Sequence, residues 1–212
     1  MISHQNIIAQ CLQLLPTTSD DHKTVLGLLP FYHSKSCLLQ ETSHLNSENI
    51  VTGVIKMLTL PIVIHAEVVI PPPFTLPSLL EVIVKYQIAE VQMVPPIIIR
   101  MVRDPIVSKY DLSCIKRFAS GAAPISQEVL RELEKKFPWR GFKQGYGMTE
   151  SVGCITTHPI GKHGFEYART GGTLVANTEV KVINREGKKV GVDEKGGVGP
   201  PFPLYSFKQS IS

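Results

Sequence analysis

The chain has 212 residues, with 22 Lys and Arg against 18 Asp and Glu for a formal charge of +4, and 43% of its residues are apolar. At about 150 residues per domain there is room for one substantial domain, or one and part of another, and this composition excludes both a disordered chain and a small disulfide scaffold. The charge excess is too small to imply a nucleic-acid partner, but it is uneven: residues 1–100 carry 5 basic and 7 acidic groups and residues 101–212 carry 17 and 11, so the second half favours an anionic ligand.

Ser3 is placed to cap a helix over residues 5–15, whose apolar positions Ile7, Ile8, Cys11, Leu12 and Leu15 recur at helical spacing until Pro16 stops it. Val25-Leu26-Gly27-Leu28-Leu29 is a short apolar run of the kind a buried strand shows, and it opens into a loop with Phe31, Tyr32 and His33. Residues 34–50 are polar and aperiodic, which predicts an exposed insertion. Ile62–Ile70 reads as a strand, Leu76, Leu79, Leu80, Ile83 and Val84 as a helical stripe, and Val91–Val94 as a second strand, the order of a parallel βαβ unit. The pattern repeats with a helix over Ile97–Val102, a strand over Ile115–Ala119 and an amphipathic helix over Ser126–Phe137. That helix turns Val129, Leu130 and Leu133 inward and Arg131, Glu132, Lys135 and Lys136 outward, and a strand over Phe142–Tyr146 follows.

From about residue 155 short β segments take over, at Gly172–Val175 and Glu179–Ile183, with a turn at Asn184–Gly187; Gly196–Pro203 reads as loop and Ser206–Ser212 as a frayed end. The predicted fold class is α/β, a layered βαβ body with a β-rich C-terminal portion. We divide it as 1–155, a β-rich continuation at 156–191 and an irregular tail at 192–212. Cys11, Cys37, Cys114 and Cys154 lie 26, 77 and 40 residues apart, with no metal-ligand spacing, and read as reduced intracellular thiols. The first residues lack the basic region of a signal peptide, and the most apolar strip, Ile62–Ile70, is broken by His65 and Glu67 well short of about 18 residues, so neither a leader nor a membrane span is expected.

Two segments placed just beyond predicted strands carry the chemistry: Ser120-Gly121-Ala122-Ala123-Pro124 and Gln144-Gly145-Tyr146-Gly147-Met148-Thr149-Glu150. Ligands of open α/β sheets bind at that edge. Small residues let a flat ring lie on the backbone, Tyr146 offers an aromatic face, Thr149 a hydroxyl for a phosphate oxygen, and Glu150 a carboxylate for a hard cation such as Mg²⁺. Singly, each has a structural explanation: small residues pack, and Thr and Glu are ordinary helix-entry residues.

Six segments in order, Leu29–His33, Val94-Pro95-Pro96, Tyr110–Ser113, Ser120–Pro124, Gly145–Glu150 and Gly172–Val175, together resemble the adenylate-forming superfamily. Within it the chain is most similar to the 4-coumarate-CoA ligase and firefly-luciferase-like acid-CoA ligases, over roughly residues 1–190. The resemblance implies a two-step reaction in which a carboxylic acid and Mg-ATP give acyl-AMP and pyrophosphate, and CoA then displaces AMP. It implies that Ala122, Ala123, Gly145 and Tyr146, with Gly121 and Gly147 beside them, form the adenine slot. By the same resemblance Thr149 holds the α-phosphate, Glu150 binds Mg²⁺ and His33 sits beside the acyl carboxylate. Such a site needs a cation and hydrogen-bond donors more than a nucleophile, and the sequence has no GxSxG.

The family's lysine-bearing phosphate loop lies before the segment matched by Ser3–Asn6, and its ribose aspartate and small C-terminal domain lie beyond the point near Gly191 where the resemblance ends. The expectation is therefore a large domain truncated at both ends and impaired in autonomous turnover. A non-catalytic nucleotide-binding remnant and an adenylation domain loading a carrier-protein thiol remain open as alternatives. An intracellular, cytoplasmic location is expected, since Gln209–Ser212 is not a peroxisomal Ser-Lys-Leu type of ending.

Overall fold

The computed structural model describes residues 2–28, 53–71, 73–121, 123–192 and 194–198. The histidine loop with His33, the polar stretch 34–50, Ala122 and the end of the chain beyond Val198 lie outside the described residues.

Helix α1 spans His4–Leu14, and Ser3 caps it as expected: its Oγ accepts from Asn6 N–H at 3.2 Å while Asn6 Oδ1 accepts from Ser3 N–H at 3.1 Å. The buried face is only partly the expected one, with Cys11 buried and Ile7 and Leu15 packed against the same cluster. Ala9, Gln10, Cys11, Gln13 and Leu14 point inward, whereas Ile8 and Leu12 are 55% and 44% exposed. The two buried glutamines make this rotation tolerable, because Gln10 Nε2 donates to Gln13 Oε1 at 3.2 Å and Gln13 Nε2 donates to Thr178 Oγ1 at 3.3 Å. Strand β1 (Thr24–Leu26) pairs in parallel with β2 (Glu67–Val69). Between them a π-helical segment, Gly53–Thr59, runs into the short helix α2, Leu60–Val63. The expected strand over Ile62–Ile70 is thus confined to its second half. Thr59 Oγ1 bonds back to the Val54 and Ile55 carbonyls (2.9 and 3.1 Å), favouring helical turns over extension here.

The central unit follows the expected alternation. Helix α3 (Leu76–Lys85), capped by Thr75, leads to β3 (Glu90–Gln92); α4 (Pro95–Arg103) leads to β4 (Arg117–Ser120); α5 (Gln127–Lys136), capped by Ser126, leads to β5 (Gly141–Gln144). These strands form a parallel sheet in the order β3-β4-β5. Side chains alternate across it. Val91, Phe118 and Phe142 point to one face, fully buried in the main core with Leu80, Ile83, Ile98, Met101 and Leu133 of the helices. The other face carries Glu90, Gln92, Arg117 and Lys143.

On that polar face Arg117 bonds both Glu90 and Asp21, Lys143 Nζ lies 3.5 Å from Glu90 and donates to the Thr17 carbonyl at 3.0 Å, and Lys116 Nζ reaches Asp21 at 3.1 Å. Burial works against the Glu90 carboxylate, but Lys143, His22 and Arg117 outweigh it and hold the group well below the usual carboxylate range. A hydrogen bond from Arg117 brings Asp21 down to about 2. The cluster fastens three parallel strands to the segment that leaves α1.

At Gly145 the chain turns from parallel to antiparallel pairing, ten residues before the expected change of texture near residue 155. Strands β6 (Tyr146–Met148), β7 (Gly153–Thr157) and β8 (Thr173–Leu174) make an antiparallel sheet, and β9 (Val182–Ile183) pairs with β10 (Gly197–Val198). The stretch from Gly196, expected to be loop, therefore closes a small ladder. A second cluster of Cys11, Leu14, Ile55, Leu60, Val152 and Val175 ties α1 and the π-helical segment to this β-rich part. Among the described residues no helix is long and apolar enough to cross a membrane.

Two outcomes follow from the charged layer. Replacing Glu90 by Gln leaves Arg117 and Lys143 without their shared carboxylate, and chemical denaturation should show a loss of about 3–5 kcal/mol. Both carboxyls are depressed in the fold, so their stabilisation is complete above their unfolded values, 3.8 for Asp21 and 4.5 for Glu90, and is lost as the pH falls through about 2 for Asp21 and lower still for Glu90. Acid titration followed by circular dichroism should show stability falling across that window, with a shallower fall in Asp21→Asn.

Candidate functional site

The C-terminal ends of β3, β4 and β5 open into a cleft that encloses about 540 Å³ of space, open solvent included. Gln92 comes from β3, Ser120 and Gly121 from the end of β4, and Gly145, Tyr146, Gly147 and Met148 from the passage between β5 and β6. Leu14 of α1, Ile55 and Lys56 of the π-helical segment, and Gly153 and Cys154 of β7 complete its walls. The two sequence segments meet through a main-chain bond, Gly145 N–H to the Ser120 carbonyl at 3.0 Å. Tyr146 is 41% exposed and lines the cleft.

Of the residues singled out from the sequence, Gly121, Gly145, Tyr146 and Gly147 line this one cleft. Ala123 is exposed and lies outside its lining; Ala122 and His33 lie outside the described residues. Thr149 is half-buried, one residue beyond Met148 of the cleft, on the 3-10 turn Thr149–Ser151 that also carries Glu150. The turn is braced from behind. The buried Ser151 hydroxyl donates to the Met148 and Gly153 carbonyls at 2.9 and 3.0 Å, and Val152 follows at φ 59°, a left-handed conformation costly for a β-branched residue. Among the described residues no group of three or more His, Cys, Asp or Glu is placed to hold a metal. Mg²⁺ commonly takes one or two carboxylates and completes its shell from ligand oxygens and water.

The glycines matter for space. A Cβ on Gly147 would sit 1.7 Å from the Gly153 carbonyl oxygen, so β6 and β7 approach at a distance no other residue permits. A Cβ on Gly121 would meet only the Gly145 carbonyl oxygen, at 3.8 Å, and would project into free space. Cys154 is no nucleophile: burial pushes its thiol up, against the weaker pull of Lys56 and Lys143, and it donates to the Thr156 carbonyl at 3.2 Å.

A second cleft, of about 500 Å³, shares Leu14, Lys56 and Gln92 with the first and extends over the charged face of the sheet to His22, Glu90, Lys143 and Thr157. Sequence reasoning missed Lys56, Gln92, His22 and Lys143. Gln92 and Lys143 become visible only once the strand register puts them on the face opposite Phe118, and Lys56 lies in a run without helical or strand period.

Residues 49–198 match the family of AMP-binding enzymes, and the chain belongs to that family. Within it the chain is similar to 4-coumarate–CoA ligases. It is 34% identical over 203 residues to probable 4-coumarate–CoA ligase 1 of Dictyostelium discoideum, covering 93% of this chain and 33% of that protein. It is 31% identical over 196 residues to 4-coumarate–CoA ligase of Pinus taeda, again with 33% of that protein covered. The fold matches a long-chain-fatty-acid-CoA ligase from Archaeoglobus fulgidus with a TM-score of 0.74 and 26% identity, over 92% of this chain and 37% of that one. It also matches an O-succinylbenzoate coenzyme A synthetase from Bacillus subtilis solved with ATP and a magnesium ion, with a TM-score of 0.68 and 18% identity, over 92% of this chain and 36% of that one. The chain spans about a third of the length of the curated relatives it matches.

Gly147→Ala should cost at least about 2 kcal/mol, because the added carbon meets backbone. Gly121→Ala should change stability by less than about 0.5 kcal/mol while narrowing the cleft. Paired thermal melts of the two variants check the contrast.

Proposed function

We propose that the chain carries the nucleotide-binding core of an acid-CoA ligase, in which a carboxylic acid is adenylated by Mg-ATP and the acyl group then passes to CoA. The observation that carries this reading is the convergence of Gly121, Gly145, Tyr146 and Gly147 on one cleft at the C-terminal edge of the parallel sheet, where such folds bind ligands. Glycine backbone gives a purine a close, flat approach, Tyr146 gives it a ring to stack on, and Gly121 leaves the space open.

In this reading Thr149 donates its hydroxyl to the α-phosphate and Glu150 supplies the carboxylate for Mg²⁺. The bound metal would neutralise phosphate charge as it builds during attack. His33 would orient the acyl carboxylate, and Ala122 and Ala123 would complete the edge of the adenine slot. The buried Ser120 hydroxyl has no hydrogen-bond partner among the described residues and lines the cleft, so a polar ligand atom there would satisfy it. No covalent enzyme intermediate is required, in keeping with the protonated Cys154 thiol. A second reading, nucleotide binding without turnover, needs only the glycine and tyrosine lining of the cleft.

Calorimetry with AMP tests both. Binding is expected, weakened about tenfold or more in Tyr146→Ala through lost base stacking, and its absence in the folded protein rejects both readings. Pyrophosphate release with ATP, Mg²⁺ and a panel of carboxylic acids separates them: release supports the ligase, and binding without release supports the second reading.

A further inference from the structure

Lys56 is the only cationic side chain lining both clefts, and among the described residues no carboxylate lies within ion-pair distance of it. The other buried cations are answered: Arg117 by Glu90 and Asp21, Lys143 by Glu90 and the Thr17 carbonyl. Of the two lysines lining the second cleft, Lys143 is paired with Glu90, and Lys56 is the one with no carboxylate partner among the described residues. Two buried polar atoms have no hydrogen-bond partner among the described residues, Ser120 Oγ on a residue that lines the first cleft and is only 4% exposed, and His22 Nδ1 on a residue that lines the second. Unpaired charge and unmade hydrogen bonds are costly in a partly buried site unless a ligand completes them.

We infer that the site selects an acid bearing a second carboxylate, an α,ω-dicarboxylate, whose distal group pairs with Lys56 at the junction of the two clefts. The inference rests on the proposed ligase reading for the fate of the reacting carboxylate. That reacting group belongs in the first cleft beside Ser120, because a neutral hydroxyl orients a carboxylate without quenching its nucleophilicity, whereas an ammonium held against it would. Lys56 therefore suits the end of the acid that does not react. His22 also lines the second cleft, where a neutral ring can donate to the same distal group; burial lowers this histidine, against the opposing pull of Glu90. Glu90 faces the same cleft but is already engaged by Arg117 and Lys143.

The test is calorimetric titration of the full chain at pH 7 with matched acids, hexanoate against adipate and 4-coumarate against 4-carboxycinnamate, and separately with AMP. The diacids are expected to bind about tenfold more tightly than the monoacids, as one charged hydrogen-bonded contact warrants. Lys56→Met should erase the difference, and Lys56→Arg should retain it. Equal affinities in the parent chain overturn the inference, whatever the variants do, as does no binding of either class. A preference that survives Lys56→Met, or a loss in that variant confined to AMP, also overturns it, the latter by assigning Lys56 to the nucleotide phosphate. If AMP fails to bind while the diacid preference and its dependence on Lys56 remain, the nucleotide reading falls and the selection of a dicarboxylate stands.

Discussion

The charged layer on one face of the central sheet sets the terms for everything around it. A parallel strand is ordinarily apolar on both faces, yet β3, β4 and β5 put Val91, Phe118 and Phe142 on one side and Glu90, Arg117 and Lys143 on the other. Taking these charges out of water is tolerable because each is answered, Arg117 by two carboxylates and Lys143 by a carboxylate and a main-chain carbonyl. The same pairing recruits Asp21 and Thr17, and so decides where the chain goes after α1. That in turn brings Leu14 of α1 against Ile55 and Val175 in the second core and makes Leu14 a wall shared by both clefts.

Much of this organisation is legible in the residues. The helices α3, α4 and α5 follow from apolar spacing with Thr75, Ser126 and proline at their starts, and β3, β4 and β5 from short apolar runs between them. What is not legible depends on tertiary context. Ile8 and Leu12 have the right period to be core, but the buried face of α1 is set by its neighbours, and Gln10 and Gln13 take their place, linked to each other and to Thr178 while Gln10 Oε1 has no partner among the described residues. The strip Ile62–Ile70 looks uniformly extended because β-branched residues favour strands, but the π-helical run through Thr59 carries on into its first residues.

The candidate site divides along the same line. Its glycines and tyrosine stand out because they form compact, ordered segments at strand ends. Gln92 and Lys143 are anonymous in sequence, being single polar residues inside strands whose facing depends on register, and a slip of one residue would exchange them with Val91 and Phe142. Lys56 is anonymous for another reason, since a π-helical turn has neither of the two periods by which a side chain's direction can be read.

The floor of the first cleft is main chain at Gly121, Gly145 and Gly147, and its shape is fixed by strand spacing and by the bond between Gly145 and Ser120. Its walls are side chains drawn from α1, the π-helical segment and β7, which are distant from one another along the chain. A change of wall residue therefore leaves the floor as it was. Such a scaffold can diverge in what it grips at its sides while the platform beneath stays constant, so variation among descendants of this chain would accumulate at Leu14, Ile55, Lys56 and Cys154 before it reached the glycines.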